Sequence, residues 1–405
     1  MSVKPLNVND DEIAIEYSSF QLTNKNKPTD STMYVAYVYK KGWQNPKMIS
    51  LFEEKELKKV LANKSPNQLY NSNKLYNLLW KPLKKYLNDS KTVYYSPSGL
   101  LNQISFAALK ENETLCNKYN LVQLSSTGVL AGKLTEPSLA TTLFIGDINY
   151  DYTETVDLAI DSTQYTYLNI ESLKYSRGTK SRGESWTYLP GTLKEIEGLQ
   201  TILKLKGNNY STSLTGTKAT EANFKKLSGN SPNILHIATH GFFYENLDIK
   251  PQRNMSLNTE DRYRLAEDPL LRSGLILAGA NYTWKYGYNP NEKEDGILTA
   301  MEISNMDLSN TELVVLSACE TGLGDIDGSE GVYGLQRAFK MAGVNIIVMS
   351  LWKVPDDETA EFMNLFYSNW IKTNRVKAAF NQAQRTMQKK YKDEPLKWAA
   401  FVLFE

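Results

Sequence analysis

The chain has 405 residues, 41% hydrophobic and 22% charged, ordinary values for a globular protein but more chain than one core usually serves, so two packed domains or one domain with a large annex are expected. Its 46 basic and 45 acidic residues leave a net charge of +1, so no whole-chain field selects a nucleic acid or an anionic membrane as partner. The longest apolar stretches, such as Ile346 to Trp352, fall far short of the roughly 20 residues that span a bilayer.

At the amino end, MSVKPLNVNDD lacks the apolar core of a secretory signal. IAIEYSSF and MYVAYVYKK then alternate as strands do, while EEKELKKVLANK and NKLYNLLWKPLKKYL repeat as amphipathic helices do. Residues 1–135 therefore read as an α/β annex, which shortens into strands and turns from TVYYSPSGLLNQISFAAL to YNLVQLSSTGVLAG. A boundary near Glu136-Pro137 introduces a second domain, 136–405, beginning with the buried strand TTLFIGD. Residues 149–187 are rich in Tyr, Ser, Thr and Arg without periodicity and read as an exposed loop, long enough to wall a substrate groove or to be cut during activation. A helix opening at Thr192 and another over Ala219 to Leu227 precede the strand NILHIATH, and a second exposed polar loop covers 244–267. SGLILAGA, TELVVLSAC, NIIVMSLW and the closing WAAFVLFE follow as strands, with helices at LTAMEISNM, GVYGLQRAFKMAG and Asp356 to about Lys390 between them. Apolar strands separated by helices predict a mostly parallel α/β sheet with helices on both faces. No repeat of fixed period is visible.

Two cysteines, Cys116 and Cys319, offer no disulfide framework, so a reducing cytoplasm is the expected setting. With only two histidines, any mechanism that needs one uses His236 or His240. In NILHIATHG, Ile234, His236, Ala238 and His240 share one strand face, and His240 ends the strand just before Gly241. His236 stands roughly 13 Å back from that rim, at about 3.3 Å per residue, and reads as a core histidine satisfied by a hydrogen bond. TELVVLSAC delivers Cys319 to its own carboxyl end, after which TGLGDIDGSEG must turn, whereas Cys116 in KENETLCNKYN reads as an incidental surface thiol. Open α/β sheets gather their sites outside the carboxyl ends of parallel strands, so Cys319 and His240 share a rim if their strands are neighbours. The pair then reads as thiolate nucleophile and acid-base partner, with the backbone N–H groups of Gly241 and Cys319 as oxyanion hole. No third catalytic residue, metal or cofactor is required.

A hydrophobic strand ending His-Gly, a spacer, and a second strand ending Ala-Cys make the pattern of the caspase, separase and gingipain clan. More closely, LPGTLKEIEGL, GTKATEANFKKL, ILHIATHGFF, DPLLRSGLILAGAN, the run from Asp295 to Thr359 and WAAFVLFE resemble the CHAT domain of bacterial proteins over at least residues 137–405. YYSPSGLLNQISFAAL is similar to the segment preceding that domain. The resemblance implies a caspase-like fold and a cysteine endopeptidase whose dyad maps onto His240 and Cys319, acting on protein or peptide substrates. It also implies a role in bacterial defence or regulated proteolysis, of the kind found among CRISPR-associated proteases and proteases that activate bacterial gasdermins. Family members usually follow a helical TPR array or another sensor module, and IAIEYSSF resembles the junction just after one, so a TPR, sensor or CRISPR-type regulatory partner is implied. Asp147, closing TTLFIGD, occupies the place where clan members put a charged residue that reads the side chain before the scissile bond, and an acid there favours Arg or Lys. The alternative is a turn cap within GDINYD. Ser317, two residues before Cys319 on the same strand face, is a second candidate for lining that pocket.

Other chemistries fit less well. HIATH lacks the helix and the glutamate of a zinc-protease motif, GLGDIDG and GSEGVYG miss the dinucleotide fingerprint, and no GxSxG marks a serine nucleophile. The rival of a different class is a non-catalytic scaffold that keeps the caspase fold to bind partners. The acidic loop Asp325 to Glu330 reads as a solvated loop, ahead of a calcium or basic-substrate site.

Overall fold

Alternation in the annex and apolar runs in the second half both become strands of one sheet. The computed structural model describes residues 6–405 except 26, 135, 154–184, 206, 208–209, 245–258, 288–293, 318–324 and 327–331. The strands are β1 (Glu12–Asn24), β2 (Lys27–Tyr39), β3 (Lys47–Glu53), β4 (Thr92–Ser96), β5 (Asn120–Gln123), β6 (Thr142–Ile148), β7 (Ser211–Gly216) and β8 (Ile234–Ile237). They continue as β9 (Gly241–Phe243), β10 (Ser273–Ile276), β11 (Ile297–Thr299), β12 (Leu313–Leu316), β13 (Asp325–Ile326), β14 (Val332–Tyr333), β15 (Ile346–Ser350) and β16 (Phe401–Phe404).

Eleven of them form one sheet in the order β3-β2-β1-β4-β5-β16-β15-β12-β8-β6-β7. Only the β1–β2, β2–β3 and β15–β16 pairs run antiparallel; the other seven are parallel. The carboxyl-terminal strand β16 sits in the middle and meets β5 through Phe404 and Gln123, so strands from both sides of residue 135 share the sheet.

Alternate residues of the central strands enter two different cores, as strand geometry requires. Phe144, Ile234, Val315 and Val348 pack with the long helices Pro190–Leu205, Asp356–Thr373 and Val376–Lys390. Ile145, Leu235, Val314 and Ile347 pack on the other face with the short helices Ala300–Ser304 and Leu335–Met341. This is the mixed α/β architecture, mostly parallel and flanked by helices, that the sequence predicts.

Several local readings differ from the structure. NKLYNLLWKPLKKYL is an α-helix only over Lys74–Leu79 and then a 3-10 turn over Lys81–Tyr86, because Pro82 has no N–H to continue the helical ladder. β7, sequence STSLTG, carries no apolar alternation because it lies at the sheet edge and pairs only with β6. The 244–267 loop contains the helix Thr259–Arg264, with 245–258 outside the described residues. Within 149–187, Tyr150 is 2% exposed and so is no part of an exposed loop, while 154–184 lies outside the described residues.

Candidate active site

β8 and β12 are parallel neighbours in register, from Leu313 beside Ile234 to Leu316 beside Ile237. The ladder extends one step further, since the Ser317 N–H donates to the Ile237 carbonyl at 2.9 Å. The carboxyl ends of the two strands thus stand side by side, with Thr239 and His240 following one and Ser317 the other. Cys319 lies outside the described residues.

His240 makes three close contacts. Its Nε2 lies 2.7 Å from the Thr187 carbonyl oxygen, which can only accept, so Nε2 carries the proton. Nδ1 has no hydrogen-bond partner among the described residues and keeps its lone pair. The rings of Tyr150 and Trp186 each pack against the imidazole at a tilt, with centroids 5.2 Å from its own. Thr239 donates its hydroxyl to the Ile276 carbonyl, so the Tyr150 hydroxyl, 3.0 Å away, donates to Thr239 and is fixed in turn. Burial holds the imidazole below the ordinary histidine range; the Thr187 carbonyl and Asp356 oppose this, and Lys353 adds to it.

Gly241 opens β9 opposite Leu275 of β10. Because the Ile276 N–H donates to the His240 carbonyl at 2.9 Å, Gly241 and Leu275 form a non-hydrogen-bonded pair, which turns the Gly241 N–H away from β10. That N–H is free of the ladder directly after His240.

Below the rim lies a buried cluster centred on Glu195, 3% exposed and carried on the first turns of the helix Pro190–Leu205. One carboxylate oxygen is 2.9 Å from His236 Nε2, and the other accepts from the Ser317 hydroxyl at 3.0 Å. Tyr367 lies 3.1 Å from His236 Nδ1. A carboxylate accepts, so Nε2 donates to Glu195 and the tyrosine donates to Nδ1. His236 is the satisfied core histidine that the strand geometry predicts. Ser317 lines a pocket with Leu189, Thr192, Glu195, Thr239, His240 and Lys353.

Asp147 is not part of that lining. It adopts a left-handed conformation (φ 52°), its N–H donates to Thr192 Oγ1 at 2.9 Å, and its carboxylate accepts from the Tyr188 hydroxyl at 2.6 Å.

The sequence gives no sign of Glu195, Thr187, Tyr150 or Trp186. The last three fall in or beside the segment read as exposed loop, and Glu195 looks like one acid among several on an amphipathic helix. Cys116 requires a correction. It is fully buried, not a surface thiol: it lies in the helical turn Leu115–Lys118, in a core cluster that also holds Met387 and Trp398, 3.3 Å from Thr114 Oγ1, and burial pushes its thiol up to about 11.

The carboxylates of Glu221, Glu294 and Glu302 approach one another within 4.8 Å, as metal ligands do. Lys225 Nζ lies 2.6, 2.6 and 2.9 Å from them, so an ammonium already takes the place an ion would need. Most of the acidic loop 325–330 lies outside the described residues. Among the described residues, no helix is long and apolar enough to cross a membrane.

The CHAT domain family model matches residues 70–405. The chain is 32% identical over 108 residues to tetratricopeptide repeat protein 28 of Mus musculus, and equally to that of Homo sapiens; the match covers 26% of this chain and only 4% of each relative. Among solved structures, it is similar to the Saccharomyces cerevisiae separase-securin complex, with 12% identity, TM-score 0.43 and coverage of 82% of this chain and 17% of that one. It is also similar to the Arg-specific cysteine proteinase gingipain R, with 9% identity, TM-score 0.44 and coverage of 82% and 67%.

Proposed function

Since the chain belongs to the CHAT domain family, we propose that it is a cysteine endopeptidase in which Cys319 is the nucleophile and His240 its acid-base partner. The observation that carries the reading is the parallel, in-register pairing of β8 with β12, which aligns the strand leading to His240 with the strand leading to Cys319. His240 Nδ1 takes the Cys319 thiol proton, the thiolate attacks the scissile carbonyl carbon, and the oxyanion formed is bound by the N–H groups of Gly241 and Cys319. The C–N bond breaks as His240 protonates the leaving amine, and water then hydrolyses the thioester, restoring the thiol.

Ser317 lines the pocket for the side chain before the scissile bond, as does Glu195. Asp147 contributes negative charge nearby, so a basic side chain is the favoured occupant. Supporting this are two carboxylates, Glu195 and Asp356, in the pocket lining against one ammonium, Lys353. A setting in a reducing bacterial cytoplasm suits a free thiolate. A role in defence or regulated proteolysis, under a TPR-type or other sensor module, accords with the resemblance to a protein named for its tetratricopeptide repeats. The 1–135 annex then packs against a 136–405 protease domain.

The test is to incubate wild type and Cys319→Ala with a proteome and label new amino termini. Termini produced only by wild type, with Arg or Lys before the cut, are expected. Identical patterns refute the peptidase and leave the scaffold, and small or apolar residues before the cut refute the basic preference.

A further inference from the structure

Residues 185–189, which bring Trp186 and Thr187 to His240, belong to no helix or strand. Main-chain groups in such a segment need other partners to be held in place. At Trp186 both are supplied by one side chain: the Trp186 N–H donates to Asn281 Oδ1 at 2.7 Å, and Asn281 Nδ2 donates to the Trp186 carbonyl at 3.0 Å. An amide side chain here makes the two-point pairing that one strand residue makes with another.

Asn281 reaches the other wall of His240 as well. Its backbone N–H donates to the Tyr150 carbonyl at 3.0 Å, and Nδ2 also donates to Asp151 Oδ1 at 2.8 Å. It is 6% exposed, near the start of the helix Ala280–Tyr286, so its own position is set by packing. The two aromatic rings packed against the imidazole and the carbonyl on Nε2 therefore all belong to segments that converge on this one residue.

We propose that Asn281 is a positioning residue for His240, clasping the main chain at Trp186 and Tyr150 so that the two aromatic walls and the Thr187 carbonyl hold the imidazole in one orientation and tautomer. The proposal rests on the reading of His240 as the acid-base group. Among the described residues, the charged groups facing the imidazole are Lys353 and Asp356, from the segment after β15 and the start of the following helix; Tyr150 and the 185–189 segment present neutral groups to it.

The chain has only two histidines, so proton NMR of the imidazole Cε1–H resolves each, with His236 as internal control. In wild type, His240 titrates below the ordinary histidine midpoint. In Asn281→Ala the walls loosen; burial is the largest cause of the depression, so the midpoint rises toward about 6.5. On a peptide cut by wild type, kcat falls about 10-fold or more with KM within about 2-fold, because orientation and not binding is lost. Asn281→Asp keeps the acceptor for the Trp186 N–H and loses both donated bonds, so it gives an intermediate shift.

A lower melting temperature with an unmoved His240 midpoint overturns the proposal and leaves Asn281 a purely structural residue, as does failure of both variants to fold. A midpoint that moves in a protein whose wild type cleaves nothing sinks the peptidase and leaves the clasp standing.

Discussion

Glu195 Oε1 lies 2.9 Å from Nε2 of His236, joining the first turns of a long helix to the centre of β8 inside the core. The other oxygen of the same carboxylate takes the Ser317 hydroxyl, so a single side chain ties together the two strands that end at the candidate site. Removing it strands two buried donors. Glu195→Ala is therefore expected to lower stability by about 3 kcal/mol, and Glu195→Gln, which keeps one acceptor, by less. Urea unfolding decides the matter: a loss no larger than that of an exposed Lys59→Ala control contradicts the role of the cluster.

Cys116 is expected to be silent toward alkylation in the native protein. With its thiol pushed up to about 11 from 9.0, the thiolate fraction near neutral pH falls about 100-fold before burial of the sulfur is counted. Mass spectrometry after iodoacetamide treatment should find Cys116 modified only once the protein is unfolded. Native labelling at that site would show that the core around Cys116 opens readily.

The pH dependence of cleavage follows from His240. Burial lowers its midpoint, so the acid limb of kcat/KM should lie below about 6.5. The same sign applies to stability: the contribution is fully present above the unfolded midpoint and is lost as pH falls through the lower folded one. An acid limb above the ordinary histidine value, in a plot of kcat/KM against pH, would count against His240 as the group that sets it.

Glu221 behaves in the opposite sense. It is buried, with one oxygen 2.6 Å from Lys225 Nζ and the other accepting the Gly296 N–H at 2.9 Å; burial, against the pull of Lys225, pushes its carboxyl up to about 9. A folded pKa above the unfolded value of about 4.5 makes its stability contribution complete below that value and lost as pH rises toward the folded one. Glu221→Gln should therefore flatten the decline of melting temperature between about pH 5 and about pH 9. Parallel slopes for the two proteins would contradict this.

Much of the fold was legible because it is local. Short apolar runs rich in β-branched residues, such as NILHI and ELVVL, fit buried strands, and the 3.6-residue period of TLKEIEGLQTILK fits a helix with one buried face. The same logic put His240 at the rim of the sheet and His236 within the core, although β8 ends at Ile237 and His240 follows three residues later. It failed where a short polar strand such as β7 gains its structure from its neighbour, and where Pro82 interrupted a helical pattern. It also failed at Cys116, whose polar neighbours concealed a buried turn.

By itself the sequence determined the apolar strands at the centre of the sheet, the separation of His236 from His240, and the family blocks that surround His240 and Cys319. Only the tertiary structure decided that β8 lies beside β12, that β16 returns to the middle of the sheet, and that Thr187, Tyr150 and Trp186 meet the His240 ring. Periodicity records which face of an element is buried, whereas the partner it is buried against is chosen by the packing of the whole chain. Glu195 reaches Ser317 across 122 residues of sequence and Asn281 reaches Trp186 across 95, distances over which no local pattern carries information.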